Sequence, residues 1–204
     1  MKLYGSAFSP YVRKIRVLLK EKNIPCEFQL EDPWPPESKI PTLNPLGKVP
    51  VLEIAPDKFL FESVAVAHYL ENLDGKPLQP KDPAAYWQAQ WWYALGNGMI
   101  DAVVARILET RRPEDKQMPE KMQREEARIA RAFAAADHEF AGGTFLAGGQ
   151  FTLGDLAMGV ACQYMDLRYP HDWRSQYPRL KQWFSGIQAR PSFTSTLPPG
   201  FTPV

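Results

Sequence analysis

Cysteine is scarce in this chain. Its 204 residues hold two, Cys26 and Cys162, in no metal-binding or redox spacing. That excludes a disulfide scaffold and makes a reducing, cytoplasmic setting the expectation. Histidine is scarce too: His68, His138 and His171 have no His or Cys neighbour at ligand spacing, so no metal is expected. Neither sign of charge is in excess, with 24 Lys and Arg against 23 Asp and Glu. This disfavours a basic nucleic-acid binder and an acidic tail, so no nucleic-acid partner is expected. No apolar run is long enough to cross a bilayer, and Met1 to Ser6 lack the apolar core of a signal peptide, so no membrane association is expected. What is present is an ordinary globular composition, 45% apolar and 23% charged, long enough for one large domain or two small ones. Its 20 prolines imply many fixed turns, and its 6 tryptophans imply aromatic clusters or pockets.

Hydrophobic spacing changes character near residue 75. Lys2-Leu3-Tyr4, before Gly5-Ser6, predicts a strand. Pro10 opens a run with Val12, Ile15, Leu18 and Leu19 at helical spacing, and proline suits a first helical turn. Asn23-Ile24-Pro25 ends that helix, and Cys26 to Leu30 alternates as a second strand. Residues 31–47 are proline-rich and irregular. Val49 to Ile54 and Phe59 to Phe61, joined by an Asp57-Lys58 turn, predict a hairpin. Glu62-Ser63 leads into a helix with the stripe Val66, Leu70 and Leu73, and with Glu71 on a more exposed side. The strand–helix–strand opening favours a parallel pair, to which the hairpin adds antiparallel edges. Residues 74–83 read as a linker.

Beyond the linker the pattern is helical. Trp87, Trp91, Ala94, Leu95 and Gly98 follow one face, continued by Ala102, Ala105 and Leu108, until Pro113 and Pro119 break the run. Met122, Ile129, Phe133, Ala136 and Phe140 form a second stripe, ended by Gly142-Gly143. Two further helices are predicted, at about Leu153 to Leu167 and about Pro178 to Ala189, before a short proline-rich tail from Pro191. Phe151-Thr152-Leu153-Gly154-Asp155-Leu156 carries a complete structural start signal. Thr152 is the N-cap, Asp155 the other half of a capping box, and Phe151 staples to Leu156. Arg124, Arg128 and Arg131, mixed with Glu120, Glu125 and Glu126, read as a solvated helix face.

Three segments combine a capping reading with a chemical one. Ser9-Pro10 opens the first helix, where a Ser hydroxyl caps the backbone and where free N–H groups and the helix dipole also favour an anion such as a thiolate. In Gly47-Lys48-Val49-Pro50-Val51-Leu52, the proline heads a strand. A trans bond there marks a strand edge, whereas a cis bond turns the Val49 backbone outward to pair with an extended peptide. Lys48 is either a carboxylate ligand or an ordinary solvated lysine. Glu62-Ser63 opens another helix, with Ser63 as a natural N-cap; the same N-terminus suits a ligand carboxylate and Glu62 a ligand ammonium.

Taken together, Ser9-Pro10-Tyr11-Val12-Arg13-Lys14, Asn44-Pro45-Leu46-Gly47-Lys48-Val49-Pro50-Val51-Leu52, Glu62-Ser63 and Phe151 to Leu156 resemble the glutathione S-transferase family across essentially the whole chain. The likeness is to bacterial serine-type members near the theta and zeta groups. It implies a thioredoxin-like N-terminal domain over residues 1–76 with a cis proline, and an all-helical C-terminal domain over residues 84–204. By motif position it implies glutathione as co-substrate, with Val49 pairing its backbone to the cysteinyl part beside cis-Pro50. Glu62 and Ser63 hold the γ-glutamyl end, Lys48 lies near the glycyl carboxylate, and Ser9 donates a hydrogen bond to the sulfur. Serine is too weak a base to take the thiol proton, so its part is to stabilise the thiolate. The family's second glycyl-carboxylate ligand falls within residues 31–43, where no residue aligns with it.

Ser9-Pro10-Tyr11-Val12 also matches the Cys-Pro-Tyr-Cys of glutaredoxins with both cysteines replaced, so dithiol chemistry is not expected there. The resemblance further implies an electrophile pocket lined by Tyr11, Trp34, Met99, Tyr164 and Arg168, of which Met99 and Tyr164 equally suit the core. This apolar-plus-Arg mixture points to an aromatic or acidic co-substrate. The expected activity is conjugation of glutathione to a hydrophobic or aromatic electrophile, in detoxification, by a cytoplasmic homodimer. The alternatives are a non-catalytic binding or regulatory protein on the same scaffold, and glutathione-dependent peroxidase or dehalogenase chemistry at the same site.

Overall fold

The computed structural model describes residues 1–169 and 171–203. The chain divides into two compact units, Met1–Pro77 with Pro191–Phe201, and Leu78–Arg190.

In the first unit, β1 (Lys2–Gly5), α1 (Pro10–Glu21) and β2 (Glu27–Leu30) make a parallel crossover. The antiparallel hairpin of β3 (Val51–Ala55) and β4 (Lys58–Phe61) completes a sheet of order β2-β1-β3-β4. A short helix, α2 (Ile40–Leu43), interrupts the stretch expected to be irregular, and α3 (Ser63–Leu73) follows β4. Helix α1 forms where the sequence predicts it. Ser9 caps it, Pro10 occupies its first turn, and Val12, Ile15, Leu18 and Leu19 recur on one buried face that packs against α3. Each such burial is worth about 1.5–3 kcal/mol.

The α3 stripe departs from expectation at its end: Leu73 is 44% exposed and Glu71 only 2%. Lys22 accounts for the exchange. Its buried ammonium donates to the Glu71 carbonyl at 3.1 Å and the Lys76 carbonyl at 2.7 Å, and pairs with Asp74 at 2.8 Å. These bonds draw the last turn of α3 inward on its Glu71 side.

The second unit holds α4 (Pro83–Thr110), α5 (Pro119–Glu139), α6 (Leu153–Arg168), the short α7 (Trp173–Gln176) and α8 (Pro178–Gln188). Helices α4 and α6 approach closely because glycine lies at the crossing. A Cβ on Gly96 would sit 2.6 Å from the Ala157 carbonyl carbon, and one on Gly154 would sit 2.7 Å from the Trp92 Cβ. The capping box of α6 is present. The Asp155 carboxylate accepts the Thr152 N–H at 2.9 Å and also the Leu146 N–H at 2.9 Å and the Trp183 Nε1–H at 3.1 Å. Thr152 Oγ1 accepts from the Gly154 N–H at 3.1 Å.

Most of the face of α4 that the spacing picks out is the outer one, although Ala102 of that stripe is buried. Trp87 is 69% exposed and Trp91 and Leu108 each 40%, while Ala89, Trp92, Gly96, Met99, Ile100 and Val103 are buried. The helix is apolar almost all round, and periodicity alone does not choose between two apolar faces. The proline-rich tail also differs from expectation. It folds α9 (Pro191–Thr194) onto α1, so residues 191–201 group with the first unit and not with the predicted 84–204 helical domain. Arg13 donates to the Phe193 carbonyl at 3.1 Å, Arg16 to the Thr196 carbonyl at 3.4 Å, and the Ser192 hydroxyl to Glu21. Burial, with Arg16 beside it, pushes the Arg13 guanidinium down to about 10, so it stays charged at neutral pH. The fold class is nonetheless the expected one, a thioredoxin-like α/β domain and an all-helical domain.

Candidate glutathione site

Strand register brings the predicted segments together. Tyr4 near the end of β1 pairs with Val51 at the start of β3, and Val51 pairs with Phe61 at the end of β4. The turn into α1, the Val49-Pro50 dipeptide and the Glu62-Ser63 dipeptide therefore all lie at one end of the sheet. Gly5 pairs with Leu30, so the loop that begins at Glu31 starts at the same end.

Ser9 is the N-cap of α1, its Oγ accepting the Val12 N–H at 3.3 Å. The cap uses a lone pair and leaves the hydroxyl proton available for an acceptor placed at the helix N-terminus. The Val49–Pro50 peptide is cis, Pro50 is buried and Val49 half-buried. Asn44 fixes the loop that presents them. It is buried, its Nδ2 donates to the Lys48 carbonyl at 2.7 Å, and its Oδ1 accepts the Leu46 N–H at 2.9 Å. The Asn-Pro-x-Gly pattern signals the turn, but the part Asn44 plays in fixing it is visible only in the structure. The Lys48 side chain is exposed.

The cap of α3 is Glu62, where Ser63 was expected. Its carboxylate accepts the Val64 N–H at 3.0 Å and the Ser63 hydroxyl at 3.4 Å. The exchange follows from the Glu62 backbone, at φ 70, which swings its side chain over the helix start and leaves Ser63 as the first helical residue, buried. A non-glycine residue held there costs about 1–3 kcal/mol, a cost often met at ligand-holding positions.

Of the remaining predicted residues, Tyr11 is half-buried at the start of α1 and Trp34 is exposed in the loop after β2. That loop is tied by the Glu31 carboxylate, which accepts the Lys39 N–H at 3.0 Å. In the helical unit, Met99 and Tyr164 are buried, and Arg168 ends α6 half-buried, its guanidinium carbon 5.9 Å from the Tyr164 ring centroid. Burial raises the Tyr164 hydroxyl above its ordinary value, against the opposing pull of Arg168 and Arg111. Cys162 is buried, which pushes its thiol far up and keeps it inert.

A parallel crossover and hairpin with three helix-start or strand-start segments at one sheet end, followed by a helical unit, define a class. The family model for the glutathione S-transferase N-terminal domain matches residues 3–78 and that for the C-terminal domain residues 119–185. A relative in Escherichia coli strain K12, the uncharacterised GST-like protein YibF, is 33% identical over 201 residues, covering 98% of this chain and 99% of the relative. A glutathione S-transferase of Methylobacterium radiotolerans, solved with glutathione sulfonate, is 33% identical with a TM-score of 0.92, over 100% of this chain and 97% of that one. One of Methylobacillus flagellatus, solved with glutathione bound, is 36% identical with a TM-score of 0.90, over 97% and 98%. The chain belongs to the glutathione S-transferase family.

Proposed function

We propose that this protein binds glutathione at the end of its sheet and transfers it, as the thiolate, to an electrophilic carbon. The observation that supports this most is the convergence of the Ser9 helix cap, the Val49–cis-Pro50 dipeptide and the Glu62-Ser63 helix start at one sheet end. The glutathione sulfonate and the glutathione held by two structures more than 30% identical to this chain support it independently.

Each residue then has a chemical part. The Val49 backbone pairs with the cysteinyl residue. Glu62 faces the γ-glutamyl ammonium, the α3 N-terminus and Ser63 receive the γ-glutamyl carboxylate, and Lys48 the glycyl carboxylate. Ser9 gives its proton in a hydrogen bond to the sulfur, and the α1 dipole adds to it, so the thiol ionises nearer neutral pH. The thiolate attacks the electrophile, which contacts Tyr11 and Trp34. The exposed stripe of Trp87, Trp91 and Leu108 on α4 supports a homodimer that covers it. Two free cysteines suit a reducing, cytoplasmic setting.

Calorimetric titration with reduced glutathione tests the reading. Saturable binding is expected, weakened about tenfold in Ser63→Ala, the loss of one hydrogen bond to a charged group. Ser9, Glu62 and Ser63 all serve as caps or helix starts, and that observation favours a second reading, a non-catalytic scaffold. Absence of binding at millimolar glutathione decides for the scaffold.

A further inference from the structure

Among the helices of the first unit, α1 packs against both α3 and α9. The hold of α9 is polar. Arg13 donates from Nη2 to the Phe193 carbonyl at 3.1 Å, Arg16 from Nη1 to the Thr196 carbonyl at 3.4 Å, and the Ser192 hydroxyl bonds the Glu21 carboxylate. The two carbonyls lie at the end of a short helix, where backbone acceptors lack intrahelical partners. The Thr196 hydroxyl, itself buried, donates to the Ser192 carbonyl at 2.7 Å and closes that end. Phe193 is buried, and the Arg13 guanidinium carbon lies 5.8 Å from its ring centroid. Arg13 is only 4% exposed. Taking a guanidinium out of water is costly, and an apolar side chain would cover α9 without that cost. What the charge adds is a bond of fixed direction. The residue that reaches α9 is also the one that closes the first turn of α1 on Ser9. The Arg13 N–H donates to the Ser9 carbonyl at 2.9 Å, beside the Val12 N–H that donates to Ser9 Oγ at 3.3 Å.

We propose that Arg13 is a positioning residue for Ser9, and that residues 191–201 act through it as a strap that holds the first turn of α1 in place. The strap stands on these contacts alone; its bearing on the thiolate rests on the transferase reading above. A hydrogen bond from Ser9 to sulfur is directional, and a displacement of about 1 Å is enough to lose about 100-fold in rate. The apolar face against α3 resists separation but lets the helix slide or turn, because apolar contact has no direction. The Arg13 bond to a backbone carbonyl removes that freedom. The rival reading is that the tail only covers α1. A cover contributes to the stability of the whole unit, whereas a strap on Arg13 contributes to the first turn in particular, and that difference can be measured.

Amide hydrogen exchange and steady-state kinetics are measured on the full chain as wild type, Arg13→Met, Arg13→Lys and Thr196→Val. Thr196→Val loosens the tail without altering α1, and it carries the test should Arg13→Met fail to fold. The amides of residues 12 and 13 are expected to exchange about tenfold faster in Arg13→Met, the loss of one charge-assisted hydrogen bond, with those of Leu18 and Leu19 unchanged. Thr196→Val should move the same two amides by less, and Arg13→Lys, which keeps one donor, should restore most of the protection. With glutathione and 1-chloro-2,4-dinitrobenzene, kcat in Arg13→Met should fall about tenfold at nearly unchanged glutathione KM. The limb of kcat/KM against pH that reports the thiol should move to higher pH. Exchange that rises uniformly along α1, or not at all, overturns the strap. Selective exchange with kcat and the pH limb unmoved overturns the positioning of Ser9. A wild type that neither binds nor turns over glutathione overturns the transferase reading instead, and the exchange pattern still decides the strap.

Discussion

A hydroxyl has one proton to give and two lone pairs to accept with. At Ser9 one lone pair holds the Val12 N–H, and the proton is left for a ligand. On the role proposed for Ser9, folding and chemistry draw on different halves of the same group, and a variant separates them. Ser9→Ala should lower stability by about 1 kcal/mol, the worth of an N-cap. It should lower turnover with glutathione by about 10–100-fold, the worth of a hydrogen bond to a charged atom, with glutathione affinity changed much less. Steady-state kinetics beside calorimetry read the split, and equal loss of both removes the thiolate role. Ser9, Val49 and Pro50 were legible in the sequence because each lies beside its own signal, a proline or a strand end. Capping by Glu62 was not legible, because it depends on a positive φ that no neighbouring residue announces.

At the scale of elements, the start of α6 shows how one carboxylate can organise a region. Asp155 serves its own helix through the Thr152 N–H, and it also serves the preceding loop through Leu146 and α8 through Trp183. Burial pushes its carboxyl above the usual range, against the hydrogen bonds that hold it down. Asp155→Ala would leave buried donors without an acceptor, each at about 1–3 kcal/mol. The expected loss is therefore at least about 3 kcal/mol, read as a lower midpoint in urea unfolding at unchanged slope; a loss near 1 kcal/mol would reduce Asp155 to an ordinary cap. The sequence carried half of this: the Thr-x-x-Asp box is local and was readable, whereas Leu146 and Trp183 meet Asp155 only through tertiary packing. The same division explains α4 and α9. Helix α4 is unmistakable as a helix, but its inner face is chosen by where Gly96 lets α6 approach. The tail looks like a loop until Arg13 and Arg16 supply it with donors from α1.

Across the whole molecule, buried charge and exposed apolar surface make opposite demands. Glu109 is buried, and the hydrogen bond from Lys121 at 2.8 Å, with the Met118 N–H and Arg112, holds its carboxyl below the ordinary glutamate range. A carboxyl depressed by folding adds stability that is complete above the unfolded value, about 4.3, and is lost as pH falls through the lower folded value. The stability gap between wild type and Glu109→Gln should therefore be widest near pH 7 and close as the solution is acidified below pH 4; a gap independent of pH rejects the assignment. The outer stripe of α4 makes the other demand. Trp87 and Trp91, one turn apart on a single helix, form an exposed apolar patch of the kind that self-association covers. A two-fold contact uses the same patch on both copies, so a charge placed there enters the interface twice and meets its own like. Sedimentation of the wild type is expected to give twice the 23.2 kDa of one chain. Trp87→Lys with Trp91→Lys should weaken the dimer by at least about 30-fold, the scale of losing a central tryptophan contact. A wild type that sediments as a monomer at all concentrations, or a double variant that dimerises as tightly, would leave the stripe without that partner.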